Sequence, residues 1–250
     1  MASTKIEINP AYGHIEAQVR DIVTNGIPDD AQLIYNGRNR IWRVMIDGMP
    51  VIVKAFRRPR LLNALIYKTF RKSKAYRSYH NSLRLMQLGF SVPAPIAYAE
   101  VSVGPLLADS YYFSAEVKGD DLRYWERRTD CRELEAALAG EVNRIINAGV
   151  CHLDLSPGNV IFTRDATGNY TFSYIDLNRM KFDVSDYDRL LTAAFQRLNE
   201  LEPTLSVARQ YALQSGQDVD ETVAKVRKIR LDFEHQMAMK KKLKSLWKLR

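Results

Sequence analysis

His152-Leu153-Asp154-Leu155-Ser156-Pro157-Gly158-Asn159, followed by Ile175-Asp176-Leu177-Asn178, decides the reading of this chain. An aspartate, an asparagine five positions on, and a second aspartate closing an apolar strand suit a phosphotransferase site. Such a site orients an acceptor hydroxyl and holds magnesium against nucleotide phosphates. Asp154 suits the first task, because a carboxylate within hydrogen-bond reach of a hydroxyl orients it and accepts its proton. Asn159 and Asp176 suit the second, because magnesium takes hard oxygen ligands, few of them from protein.

Alone, Ser156-Pro157-Gly158-Asn159 is a polar turn; its flanks give it meaning. Upstream, Asp130-Cys131-Arg132-Glu133 has the spacing of a helix capping box. Leu134, Leu138, Val142 and Ile145 then recur at helical spacing, and Gly149 sits where a C-terminal cap belongs. Downstream, Val160 to Phe162 and Tyr170 to Ile175 read as two strands joined by a turn around Ala166-Thr167-Gly168-Asn169. In the first half, Pro50 to Phe56 is a β-rich run with Lys54 embedded in it. An ammonium in an apolar strand is costly unless it meets an anion, and nucleotide phosphate would supply one. Gln32 to Tyr35 and Ile41 to Ile46 read as a hairpin turning at Asn36-Gly37-Arg38-Asn39.

The order helix, loop, hairpin, metal aspartate resembles the catalytic half of the protein-kinase-like superfamily, with its H-x-D-x-x-x-x-N loop and D-F-G-like triplet. The Lys54 strand is comparable to that superfamily's V-A-I-K strand. The resemblance implies an α+β, two-lobed protein-kinase-like fold. Residues 1–117 would form a β-rich N-lobe, with an N-terminal helix, a five-stranded sheet and a helix after the lysine strand. Residues 118–250 would form a mainly helical C-lobe. It further implies ATP and Mg2+ as cofactors, with Lys54 on the phosphates and Gly37 and Arg38 in the turn that covers them. The strand Tyr111 to Val117 leads into the hinge, where the backbone of Glu116 and Val117 would face adenine. His152 would brace the loop through its ring hydrogen bonds.

At 250 residues and 46% hydrophobic, the chain can bury one sizeable core or two small lobes. Cys131 and Cys151 offer no disulfide framework, which fits a reducing compartment. Neither a long apolar run nor a signal-peptide pattern is present, so a soluble or peripheral protein is expected. The net charge of +8 is uneven. Lys54 to Arg84 holds ten basic residues and no acid, and Lys240 to Arg250 holds six more. Leu243, Leu246, Trp247 and Leu249 interleave with the latter as in a basic amphipathic helix, which can lie on an anionic membrane. No specific nucleic-acid partner is expected.

Further runs narrow the resemblance. Val53-Lys54-Ala55-Phe56-Arg57-Arg58-Pro59, Phe70-Arg71-Lys72-Ser73-Lys74-Ala75 and Ser91-Val92-Pro93-Ala94-Pro95-Ile96-Ala97-Tyr98 look like the lipopolysaccharide kinase family. The loop at His152 is similar to that family's H-G-D-L-H-P-G-N, and Ile175 to Arg179 to its I-D-L-x-R. The resemblance implies transfer of the γ-phosphoryl group of ATP to a sugar hydroxyl, of Kdo or heptose in the lipopolysaccharide core. The acceptor would be an anionic glycolipid, met in the cytoplasm or at the cytoplasmic face of the inner membrane. A soluble aminoglycoside- or choline-type kinase and a nucleotide-binding pseudokinase scaffold are the alternatives. Two departures stand out. The helix expected over Ser73 to Leu88 lacks the glutamate that usually pairs with the strand lysine; Tyr76 and His80 occupy the resembling positions. Another carboxylate, or nucleotide phosphate, would then partner Lys54. Leu153 replaces the arginine through which protein kinases read activation-loop phosphorylation.

Overall fold

The computed structural model describes residues 2–57 and 72–248. The family-like run Arg58-Pro59 and Phe70-Arg71, much of the first basic stretch, Leu249 and Arg250 lie outside the described residues. The chain divides into two compact units, Met1–Lys118 with Ser173–Asn178, and Gly119–Phe172 with Arg179–Arg250.

In the first unit, β1 (Ala2–Ile8), β2 (Gln32–Asn36), β3 (Arg40–Ile46), β4 (Met49–Phe56), β5 (Pro95–Val103) and β6 (Leu106–Ala115) form one antiparallel sheet, ordered β1-β5-β6-β4-β3-β2. Six strands therefore stand where five were expected. The additional one is β1, whose Ala2 to Ile8 pair in register with Val103 to Ala97 of β5. Its Ile6 and Ile8 pack on the core while Lys5 and Glu7 alternate with them, a period-two pattern that an edge strand can carry.

Alternation gives this sheet two covered faces. Val51 and Val53 join Val44, Ile46, Ala97, Ala99 and Phe113 against α1 (Glu16–Asn25), whose Ile22 and Val19 are buried with them. Phe56 and Tyr98 point the other way and pack with Ala75 and Tyr79 of α2 (Lys74–Gln87). Lys54 shares the register of Phe56, so it lies on the α2 face. α2 begins where Ser73 Oγ accepts from the Tyr76 amide at 3.0 Å. Its buried Ser78 and Ser82 are small enough to let the helix approach the sheet closely.

The second unit is built on α3 (Cys131–Asn147), with Leu134, Leu138, Val142 and Ile145 buried as their spacing predicts. Gly149 follows at φ 65°, closing the helix with amide bonds to Ile146 and Ile145 carbonyls from Gly149 and Val150. A Cβ there would stand 3.0 Å from the Val184 carbonyl oxygen. The expected capping box does not form: the Asp130 side chain makes no bond to the helix amides. Its carboxylate instead accepts from Arg128 at 2.8 Å, from Tyr170 Oη at 2.6 Å and from Arg164 at 3.3 Å. The two guanidiniums add a Coulomb attraction for the carboxylate that a neutral backbone amide lacks.

β7 (Asp120–Asp121), β9 (Val160–Arg164) and β10 (Tyr170–Tyr174) form a small sheet, and β8 (Cys151–His152) pairs with β11 (Met180–Lys181). α4 (Tyr187–Phe195), α5 (Leu201–Ser215) and α6 (Val219–Lys248) complete the unit. Leu190, Leu191, Phe195 and Leu198 are buried, as is Val226, whereas Val219, Val223, Ile229 and Phe233 are only half-buried. From Glu234 to Ser245 every side chain of α6 is exposed.

Candidate active site

The Lys54 ammonium meets the Asp176 carboxylate at 2.7 Å, across 122 positions of sequence. This answers the missing helix glutamate: the lysine's carboxylate comes from the segment after β10. Asp176 is held there by its neighbours. Asn178 Nδ2 donates to the same Asp176 oxygen at 2.5 Å. The Asn178 carbonyl accepts from Arg77 at 2.6 Å, and the Leu177 carbonyl from Asn81 at 2.7 Å, both donors on α2. The helix that lacks the acid thus fixes the loop that supplies it.

His80 and Tyr76 take a different role from the glutamate they replace. The two ring centroids lie 4.0 Å apart, tilted by 41°, and His80 Nε2 lies 3.5 Å from Glu7 of β1. Tyr98 joins this group, and burial together with Glu7 pushes its hydroxyl far above the usual phenol range. The cluster ties the edge strand to α2.

Gly37 and Arg38 occupy the β2–β3 turn, closed by a Gly37 amide to Asn39 carbonyl bond of 3.1 Å. A Cβ on Gly37 would collide with the Tyr35 ring. The Glu116 amide donates to the Pro50 carbonyl at 3.1 Å, so it cannot face a base, and the Glu116 carboxylate pairs with Arg43. Both the amide and the carboxylate of Glu116 are thereby engaged within the protein. Val117 follows it, past the end of β6.

In the second unit, β8–β11 pairing sets the base of the loop, with Met180 opposite His152. His152 is buried, and its Nδ1 accepts from the Asp154 amide at 3.2 Å. The Leu155 amide donates to the His152 carbonyl at 3.1 Å. Asn159 Nδ2 donates to the Asp154 carbonyl at 2.7 Å, which closes the loop on itself. With its nitrogen spent, the Asn159 amide offers its oxygen, the atom a magnesium ion would use.

The Asp154 carboxylate is gripped by two arginines, Arg197 at 2.5 Å and Arg179 at 3.4 Å. Sequence reasoning assigned neither. Arg179 closes the I-D-L-x-R motif, but Arg197 follows α4 with no motif to mark it. Its guanidinium also lies 5.5 Å from the Phe233 ring of α6. Two guanidiniums at the one carboxylate orient it and set positive charge beside it.

Asp176 in the first unit and Asn159 in the second each carry a hard oxygen of the kind magnesium takes. Among the described residues no group of three or more His, Cys, Asp or Glu could hold a metal by itself.

A strand lysine paired with the loop aspartate and an H-x-D-x-x-x-x-N loop closed by its asparagine define a phosphotransferase of the protein-kinase-like class. The profile of the lipopolysaccharide kinase (Kdo/WaaP) family matches residues 35–216, and the chain belongs to that family. No curated protein sequence matches the chain. Among solved structures, a WaaP in complex with acyl carrier protein is similar at TM-score 0.62 and 18% identity, covering 93% of this chain and 97% of that one. A type VIII aminoglycoside-3'-phosphotransferase is similar at TM-score 0.55 and 15% identity, over 88% of this chain and 99% of that one. The Rio2 kinase of Chaetomium thermophilum, in its ADP/Mg2+-phosphoaspartate complex, is similar at 0.50 and 14%, over 90% and 77%. These likenesses show the protein-kinase-like fold.

Proposed function

We propose that this enzyme transfers the γ-phosphoryl group of magnesium-bound ATP to a Kdo or heptose hydroxyl of the lipopolysaccharide core. The observation that carries the reading is the 2.7 Å Lys54–Asp176 pair, which sets an ammonium for phosphate beside a carboxylate for the metal. Magnesium, when bound, neutralises phosphate charge and orients the triphosphate. Asp176 and Asn159 would hold it. Lys54 would hold the phosphates, the Gly37–Arg38 turn would cover them, and the Glu116 carbonyl and Val117 backbone would face adenine. Asp154 would orient the acceptor hydroxyl and take its proton as the new O–P bond forms and the bond to the ADP oxygen breaks. His152 holds the loop by accepting from the Asp154 amide, a bracing role.

Asp154, Asn159, Asp176 and Lys54 are all present and locally bonded, which favours an active kinase over a pseudokinase scaffold. The exposed basic end of α6 supports a place on the cytoplasmic face of an anionic membrane, where a glycolipid acceptor would be met. The test is an acceptor screen with labelled ATP and magnesium, using Kdo- and heptose-containing core oligosaccharides beside aminoglycosides and choline. Label on a core sugar, lost by about 10²–10⁴ in rate with Asp154→Asn, is the expected result. Label confined to an aminoglycoside or to choline would replace the sugar acceptor. No transfer to any acceptor would overturn the kinase reading.

A further inference from the structure

α2 carries a second anomaly besides its missing acid. Its first residue is a lysine, Lys74, where the helix dipole favours negative charge. The side chain does not simply reach for water. Its ammonium lies 5.9 Å from the Phe56 ring, and the Lys54 ammonium lies 5.4 Å from that same ring. Two cations thus gather at one phenylalanine on the α2 face of the sheet. Burial and the nearby charges of Arg38, Arg77 and Lys54 hold the Lys74 pKa below the usual lysine range, while Asp176 pulls the other way. Of these neighbours Arg77 is engaged with the Asn178 and Ser73 carbonyls.

What remains is an arrangement drawn from four elements: Arg38 of the β2–β3 turn, Lys54 of β4, Lys74 of α2 and Asp176. Among the described residues, Lys54 meets Asp176 directly, Lys74 shares the Phe56 ring with Lys54, and Arg38 lies near enough to Lys74 to repel it. Partly buried like charges repel and cost stability unless an anion joins them. A polyphosphate supplies several negative oxygens at the right spacing for more than one ammonium.

We propose that Lys74 is a phosphate-binding residue, taking an oxygen of the nucleotide's polyphosphate beside Lys54. The inference rests on the nucleotide reading of the Lys54–Asp176 site. Asp176 already supplies the carboxylate that Lys54 needs, so α2 can carry a cation for the ligand in place of an acid.

The test is calorimetric titration of the full chain with ATP, ADP and adenosine in magnesium, with thermal melts of the unliganded protein. Loss of one charged hydrogen bond should weaken ATP binding of Lys74→Met by about tenfold or more. Adenosine affinity should stay unchanged and Lys74→Arg should retain most ATP affinity. The unliganded Lys74→Met melt should hold or rise, because a repelled cation has been removed. Lys74→Glu should bind ATP more weakly still. If Lys74→Glu instead raises turnover, α2 merely lacks an acid and the proposal falls. It falls equally if Lys74→Met binds ATP like the parent, or if its melt drops while ATP affinity holds. Lys54→Met separates the two readings: a parent that does not bind ATP overturns the nucleotide site itself. ATP affinity sensitive to Lys54→Met and indifferent to Lys74→Met overturns only the role of Lys74.

Discussion

Asp176 has φ 58°, in the left-handed region that non-glycine residues rarely enter. Such a backbone costs on the order of 1 kcal/mol and persists where surrounding bonds over-determine it. Here Lys54 and Asn178 both donate to its carboxylate. Removing the side chain should therefore have two separable effects. Asp176→Ala is expected to lose the magnesium dependence of ATP affinity, measured by calorimetry with and without the metal. Equal affinity for variant and parent under both conditions would move the metal site elsewhere. Asp176→Gly should lose the same affinity but melt at a higher temperature than Asp176→Ala, by roughly 1 kcal/mol of stability, because glycine tolerates positive φ.

Two elements show how side chains redirected from local duty hold larger pieces. Asp130 leaves the N-terminus of α3 uncapped and binds Arg128, Tyr170 and Arg164. Arg128, then Tyr170, hold its carboxyl well below the usual carboxylate range. A carboxyl whose folded pKa is depressed contributes stability above its unfolded value, about 3.9, and loses it as pH falls toward the folded one. Asp130→Asn should thus lower the melting temperature at pH 7, by an amount equivalent to about 2 kcal/mol. It should also flatten the acid limb of the stability curve below about pH 4. An unchanged acid limb would show that this cluster does not govern acid unfolding. At α2, His80 lies 3.5 Å from Glu7. His80→Glu would place like charges there, so the melting temperature should drop and turnover should not rise. A gain in turnover would mean that Lys54 still wants an acid from the helix.

At the scale of the whole molecule, the distal half of α6 is an open surface. Met237 and Met239 are exposed just before lysines 240, 241 and 242, and Leu243 between lysines 242 and 244. No helix among the described residues is long and apolar enough to cross a membrane. Deleting residues 240–250 should reduce binding to anionic vesicles and flatten its salt dependence, while melting temperature and turnover on a lipid-free acceptor stay put. Each basic residue near such a surface contributes about 1 kcal/mol, an upper figure that salt erodes. A fall in melting temperature with vesicle binding unchanged would instead make this segment part of the core.

What could be read from the chain alone was local. The turn chemistry of His152 to Asn159, the helical spacing of Leu134 to Ile145 and the Asn36–Asn39 hairpin each depend on residues a few positions apart. Periodicity and φ preference act at that range. The protein-kinase-like fold followed from the order of those pieces. Tertiary structure decided the pairings. Lys54 found Asp176 rather than an acid of α2, Asp130 chose three side chains over its own helix, and Arg197 reached Asp154 without any motif. β1 joined the sheet through β5, almost a hundred positions away. In each case several partners were chemically competent, and a carboxylate does not encode which cation it will meet. The path of the backbone brings some of them within bonding reach and leaves the others outside it.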